Sequence, residues 1–355
     1  MKLPVPQLRK IGWITLAWSI FSMFQFFIAY AIILDNDLKL EYSPLFYIKG
    51  NLLTGVLAGV LGGSSTVFLW ERWLRSKPYG WTIRSLLITY VLIFALVGLS
   101  TNLYFYSKLL SLPPFNGAVI IGALKHLVKI TTLVPFVTWL LVAVFTIIAL
   151  LVNDKYGPGV FRKFLLGHYF NPRREQRIFM FLDLRASTTV AEKIGEARYF
   201  SFLKDVFTFV TPAILANKGE IYQYVGDEIV ISWELAQGIE QANCVQCFFD
   251  TQQALNQRRQ YFLAHYQHHP EFKAGLHYGH VMAGELGVVK REIAYSGDVL
   301  NTTARIQAKC NEFGANLLAS KPVLDLLKLS APYHPKALGQ IALKGKKEPI
   351  TLYAI

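Results

Sequence analysis

The chain has 355 residues, of which 53% are hydrophobic, and its formal net charge is +13. Its length allows two domains. The basic residues cluster beside long apolar runs, which favours a membrane surface as the partner and argues against nucleic acid. The three cysteines do not indicate an oxidising compartment, because Cys244 and Cys247 have the spacing of only half a zinc site and are interpreted as buried residues of one helix.

Four uncharged apolar runs are long enough to cross a bilayer core, which needs roughly 20 residues. The predicted spans are Ile11–Leu34, Asn51–Trp70, Ser85–Tyr106 and Ile130–Val152. They predict an all-α transmembrane four-helix domain over residues 1–152. Glycines in the second span, at Gly55, Gly59, Gly62 and Gly63, would let helices approach closely.

Basic residues predict the orientation of the spans. They lie in the segment between the second and third spans and in the segment after the fourth span, at Arg72, Arg75, Lys77, Arg84, Lys155, Arg162, Lys163, Arg173 and Arg174. Because cytoplasmic loops carry an excess of Lys and Arg, both termini are expected in the cytoplasm. No span has an acidic residue or an Arg at its centre, which argues against a transporter. The signal that such a domain would sense is not identified by the sequence.

Residues 153–176 are expected to form a juxtamembrane linker. Asp154–Gly159 is rich in Gly and Pro and predicts a break in the chain. Val160–Phe170 has helical apolar spacing, and two interpretations stay open for it: a transducer helix, or a linker with an amphipathic bias. Either would lie between the membrane domain and the rest of the chain.

Residues 177–355 alternate predicted strands and helices. A strand over Ile178–Leu182 precedes helices, a hairpin around Gly226-Asp227, and a long helix over about Gln237–Tyr266. Further strands are predicted at Phe272–Tyr278 and Arg291–Ser296, followed by a helix over Asp298–Glu312. The order β-α-β-β-α-β is the ferredoxin-like plan of an α+β domain.

Two aspartates in this region predict a metal site. Asp183 ends one strand, and Asp227 lies in the turn of the hairpin. A carboxylate at the end of a buried strand is costly unless a positive charge meets it. Two such carboxylates can organise two metal ions for in-line attack at phosphorus. The structural alternatives are a helix N-cap for Asp183 and a turn residue for Asp227.

Four motifs in order make residues 175–355 resemble the class III nucleotidyl cyclase catalytic domain. They are Phe181-Leu-Asp183-Leu-Arg-Ala-Ser-Thr188, Tyr224-Val-Gly-Asp227-Glu, Gly275-Leu-His-Tyr-Gly279-His-Val-Met-Ala-Gly284 and Gly297-Asp-Val-Leu-Asn301-Thr-Thr-Ala-Arg305. The resemblance implies a class III cyclase fold joined to the membrane domain. It also implies two Mg²⁺ or Mn²⁺ ions per active site, in a head-to-tail homodimer with shared sites.

The resemblance assigns roles to single residues. Asp183, Asp227 and the backbone carbonyl of Leu184 would bind metal, and Lys344 or Lys346 would contact the terminal phosphates. Asn301 and Arg305 would orient the ribose and stabilise the transition state from the other protomer. Their spacing of four places both side chains on one helix face, and an Arg there would neutralise charge on the reacting phosphate.

The purine-selecting positions depart from the family pattern. Gln223 and Ala294 stand where adenylate cyclases usually have Lys and Asp. Gln can both donate and accept hydrogen bonds, so it suits either purine. ATP is favoured, and the expected protein is an adenylate cyclase of the bacterial cytoplasmic membrane, with membrane lipid and a second copy as partners. A guanylate cyclase, a diguanylate cyclase and a non-catalytic nucleotide-binding receptor are the alternatives.

Overall fold

The computed structural model describes residues 5–36, 43–68, 77–156, 166–289, 291–327, 329, 331–346 and 348–355. Two units are divided at residue 152, Met1–Val152 and Asn153–Ile355. Several charged residues that bear on the predicted orientation, among them Arg72 and Arg162, lie outside the described residues. So does most of the predicted 160–170 helix, and its described end, residues 166–170, forms turns.

Helices form the described part of the N-terminal unit. They are α1 (Val5–Asp35), α2 (Pro44–Ser65), α3 (Tyr79–Leu110), α4 (Gly117–Leu127) and α5 (Ile130–Tyr156). All except α4 are long and apolar enough to cross a membrane. Large apolar side chains such as Leu92 and Phe145 are exposed on their outer faces, which suits a lipid environment.

Glycines bring α2 into direct contact with α1. A Cβ at Gly59 would lie 2.6 Å from Thr15 Cα, and one at Gly55 would lie 2.7 Å from Ser19 Cα. These are backbone atoms that a rotamer change cannot move away. The glycines of the second apolar run therefore pack two helices of the same chain.

An eight-stranded sheet forms the second unit, in the order β2-β3-β1-β4-β6-β8-β7, with β5 paired to β4. The strands are β1 (Arg173–Leu184), β2 (Glu220–Val225), β3 (Glu228–Glu234), β4 (Phe272–Leu286), β5 (Glu292–Ser296), β6 (Leu317–Ser320), β7 (Lys336–Ile341) and β8 (Ile350–Ala354). Antiparallel pairing of β2, β3, β1 and β4 confirms the ferredoxin-like plan. The prediction that the fourth strand ends at Tyr278 is wrong, because β4 continues to Leu286.

Helices cover one face of this sheet and part of the other. They are α6 (Ser187–Ile194), α7 (Glu196–Ala216), α8 (Leu235–Ile239), α9 (Asn243–Gln257), α10 (Arg259–Tyr266), α11 (Asp298–Ala308) and α12 (Lys321–Leu327). The predicted long helix over 237–266 is wrong, because left-handed Gln241 (φ 51°) and Ala242 (φ 54°) break it. The helix α7 has the length and hydropathy of a membrane span. Its buried stripe of Phe202, Val206 and Val210 instead packs into the core of this unit.

Strand β1 has two different faces. Ile178, Met180 and Leu182 point into the main core below α7 and α9. The alternate residues, including Phe179 and Asp183, belong to the opposite face, on which α11 lies over β4. Asp183 and the helix that carries Asn301 and Arg305 lie on this second face. Cys244 and Cys247 are buried on α9, in agreement with their interpretation as packed residues.

Candidate active site

Strand pairing brings Asp183 close to Asp227. Asp183 lies directly opposite Glu228 in the ladder between β1 and β3. Asp227 immediately precedes Glu228, in the two-residue turn from β2 into β3. Gly226 has φ of 62° there, the left-handed conformation that such tight hairpin turns require. Leu184 is the last residue of β1 and its side chain is buried, so it could serve a ligand only through its backbone.

Two donors hold one oxygen of Asp183. Lys273 Nζ lies 3.1 Å from Oδ2, and Gln307 Nε2 donates to the same oxygen at 2.8 Å. Lys273 faces Asp183 across the ladder between β1 and β4. Because both donors meet Oδ2, the other oxygen, Oδ1, can bind a cation without displacing either of them.

The electrostatics of the pair suit a cation. Burial raises the pKa of Asp183, Lys273 lowers it, and the neighbouring Asp227 raises it. Burial and the two aspartates raise the pKa of Glu228 to about 7. Among the described residues, Asp227 Oδ2 is buried without a hydrogen-bond partner. An unpartnered carboxylate oxygen beside a second carboxylate fits a divalent metal, since hard cations prefer oxygen ligands.

Asn301 and Arg305 lie on α11, away from the carboxylates of their own chain. Asn301 is exposed, whereas Val299, Thr303 and Gln307 are buried against the sheet. Arg305 reaches the loop after β7, where a Cβ at Gly345 would lie 3.3 Å from Arg305 Nη2.

The two candidate lysines of that loop have different environments. Lys346 pairs with Asp298, the first residue of α11, and this contact lowers the pKa of the Asp298 carboxyl. Lys344 is exposed. Of the two, Lys344 is therefore the lysine that can reach a ligand without breaking an ion pair.

Gln223 and Ala294 each neighbour one member of a tyrosine pair. The rings of Tyr222 and Tyr295 lie 4.9 Å apart, and Tyr295 N donates to Tyr222 Oη at 3.4 Å. These contacts hold β2 next to β5, although the two strands are not paired in the sheet. Gln223 is exposed and Ala294 partly buried, so neither brings a charge to this edge.

A fully buried arginine supports the tyrosine pair. The Arg177 guanidinium lies 4.6 Å from the ring centroid of Tyr295 and donates to Glu175 at 2.7 Å and Glu220 at 2.6 Å. A buried charge is tolerated when it is paired in this way. Arg177 thus ties β1, β2 and β5 together.

Sequence reasoning missed Lys273, Gln307 and Arg177. Each contacts a residue that is distant in the sequence; Gln307 and Asp183, for example, are 124 positions apart. Lys273 could have been found by extending the strand register of β1 onto β4, because it stands opposite Asp183. No sequence signal marked Gln307 or Arg177.

A ferredoxin-like sheet with paired carboxylates at adjacent strand ends, and with Asn and Arg four residues apart on a helix, defines the catalytic domain of a nucleotidyl cyclase. The sequence pattern of the adenylate and guanylate cyclase catalytic domain matches residues 171–355, and the chain belongs to that family.

Known proteins agree with this membership. Adenylate cyclase 2 of Rhizobium meliloti (strain 1021) is 32% identical over 209 residues, covering 59% of this chain and 58% of that protein. Adenylate cyclase 1 of the same organism is 25% identical over 254 residues, covering 69% of this chain and 36% of that protein. The chain thus spans less than two thirds of the length of either relative. A solved structure of a bacterial light-regulated adenylyl cyclase has the same fold, with a TM-score of 0.54, 22% identity and coverage of 64% of this chain and 66% of that one.

Proposed function

We propose that this chain is a membrane-anchored adenylate cyclase that works as a homodimer. It converts ATP to 3′,5′-cyclic AMP and pyrophosphate, by attack of the ribose 3′-hydroxyl on the α-phosphorus. One observation carries the proposal. The carboxylates of Asp183 and Asp227 converge where the paired strands β1 and β3 meet the hairpin turn, whereas Asn301 and Arg305 lie on a helix face turned away from them. A second copy, arranged head to tail, would complete two equivalent sites.

Asp183 Oδ1 and Asp227 Oδ2 are the oxygens that would hold divalent metal, two Mg²⁺ or Mn²⁺ ions per site, with the Leu184 carbonyl. Bound metal would supply a Lewis acid that lowers the pKa of the attacking hydroxyl and binds phosphate oxygens. Lys273 offsets part of the negative charge of the carboxylates. Arg305 of the other protomer would neutralise charge on the α-phosphate, Asn301 would orient the ribose, and Lys344 would bind the terminal phosphates.

Membrane anchoring is supported by the four long apolar helices of the N-terminal unit. With the basic residues around the second and fourth spans, the positive-inside rule predicts a cytoplasmic N-terminus and catalytic domain. The proposed location is the bacterial cytoplasmic membrane. Membrane lipid would surround the N-terminal unit, and nucleic acid is not a partner.

The test is complementation between two inactive variants of the full-length chain. Asp227→Ala and Arg305→Ala should each abolish cyclic AMP formation with Mn²⁺ and ATP. Co-expressed in equal amounts, random pairing should restore about a quarter of the wild-type activity, because half of the dimers have one intact site of two. The Asp227→Ala/Arg305→Ala double variant, co-expressed with either single variant, is the control and should restore none. Activity in either single variant alone would refute the assignment.

Guanylate cyclase activity is the second candidate, favoured by the exposed Gln223 amide and the uncharged Ala294. An amide can read either purine. Assays of the same preparation with ATP and GTP separately decide between the two. A larger kcat/KM for GTP would replace the first candidate with the second, and nucleotide binding without turnover of either would favour a non-catalytic receptor.

A further inference from the structure

The helix α11 packs closely on strand β4, with backbone against backbone at Gly275. A Cβ at Gly275 would lie 2.4 Å from Gln307 N and 2.7 Å from Thr303 O. A Cβ at Gly279 would lie 3.0 Å from Val299 Cβ. Since closely packed backbone has little room to adjust, a small shift of α11 is passed on to β4, and a shift of β4 to α11.

Gln307 connects this helix to a candidate metal ligand. The Gln307 side chain is buried, with 7% of its surface exposed, and its Nε2 donates to Asp183 Oδ2 at 2.8 Å. As a neutral donor it stabilises the ionised carboxylate and fixes its direction. Partners of this kind orient metal ligands.

The opposite side of α11 carries the proposed transition-state residues. Successive helical residues are rotated by about 100°, so Arg305 lies about 160° and Asn301 about 120° around the helix from Gln307. Arg305 accordingly faces Gly345, while Gln307 faces β1. One short helix thus separates a contact to Asp183 from the pair proposed to act in the other active site.

We infer that Gln307 is a positioning residue that links the two active sites of the dimer through α11. It holds Asp183 for the site of its own carboxylates, and it sets the position of Arg305 for the other site. This rests on the proposed shared-site homodimer. Loss of the contact between Gln307 and Asp183 in one site therefore weakens the stabilisation of the transition state by Arg305 in the other site.

The first experiment measures metal binding without turnover. Mn²⁺ binding to the full-length protein is followed by electron paramagnetic resonance in the absence of nucleotide. Gln307→Met, which keeps the length of the side chain, should weaken Mn²⁺ binding by about tenfold or more. Gln246→Met is the matched control, because Gln246 Nε2 also donates to a carboxylate, Asp250 Oδ1 at 2.6 Å, in a different part of the domain. It should leave Mn²⁺ binding unchanged.

The second experiment uses a heterodimer with a single working site. One protomer carries Arg305→Ala and keeps its carboxylates, and the other carries Asp227→Ala and keeps α11 intact. Gln307→Met in the first protomer should raise the half-saturating Mn²⁺ concentration. In the second protomer it should lower kcat by about fivefold or more and leave that concentration unchanged.

The outcomes separate the two claims. Unchanged Mn²⁺ binding in the Gln307→Met homodimer overturns the positioning of Asp183. An unchanged kcat with the substitution in the second protomer overturns the link between sites. An inactive parent heterodimer, with active wild type, overturns the shared-site dimer and the link with it, while the Mn²⁺ measurement still decides the first claim. Thermal unfolding in a chelator shows whether each variant is folded. Gln307→Glu replaces the hydrogen-bond donor with a negative charge beside the Asp183 carboxylate, and it should weaken Mn²⁺ binding further than Gln307→Met.

Discussion

Replacing Gly275 with Ala tests whether catalysis depends on the position in which α11 packs on β4. The new Cβ would lie 2.4 Å from Gln307 N, and ordinary contacts begin at 3.4 Å, so the helix must move by about 1 Å. Because both close atoms belong to the helix backbone, no rotamer change relieves the clash. A displacement of about 1 Å at a catalytic group costs on the order of 100-fold in rate, and Arg305 moves with the helix.

Stability should fall much less than activity. Overpacking costs about 2 kcal/mol of unfolding free energy, which lowers Tm by roughly 4–8 °C in a domain of this size. The assay measures kcat of full-length Gly275→Ala with Mn²⁺ and ATP at a temperature well below its Tm. Gly279→Ala is the control, because its Cβ would meet only the Val299 side chain, at 3.0 Å. A Gly275→Ala enzyme with wild-type kcat would refute the dependence on α11.

Four further predictions concern charge, substrate and membrane packing. In a chelator, thermal stability should fall as pH rises from about 4.5 to about 7, because folded Glu228 retains a proton that the unfolded chain releases, and Glu228→Gln should flatten this slope in calorimetry. Lys273→Met removes a charge that lowers the pKa of Asp183, so the acidic limb of the rate profile should move to higher pH, and an unmoved limb would contradict the ion pair. Gln223→Lys with Ala294→Asp should raise the ATP to GTP ratio of kcat/KM about tenfold or more, since charged partners discriminate donors from acceptors better than an amide and a methyl group. Gly59→Leu should lower the Tm of the full-length protein in detergent, whereas Gly50→Leu, where a Cβ meets nothing within 4 Å, should not.

The strands and their carboxylates could be predicted because their signals are local. A short continuous run of apolar residues before Asp183 identifies β1, and Gly226-Asp227 identifies the turn that follows β2. The contacts of Asp183 could not be predicted in this way. Lys273 and Gln307 reach it only through the register of β4 and the packing of α11, which depend on residues about 90 and 124 positions away.

Two errors have physical causes that a pattern does not reveal. The break between α8 and α9 uses left-handed Gln241 and Ala242, where no glycine marks the turn. The strand β4 passes through Gly279 and Gly284, two residues that usually weaken a strand interior. Here they admit close neighbours, since Cβ atoms there would touch Val299 and Pro172.

The burial of the cysteines has a practical consequence. Cys244, Cys247 and Cys310 are all buried, and burial raises the pKa of the Cys244 thiol to about 12 and that of the Cys310 thiol to about 11. Thiols in this state react slowly with alkylating reagents, because the thiolate is the nucleophile. A single cysteine introduced on the exposed surface of α11 would therefore accept a spin label without removal of the native ones. The distance between the two labels of the proposed dimer could then be followed in a membrane preparation as nucleotide and metal are added.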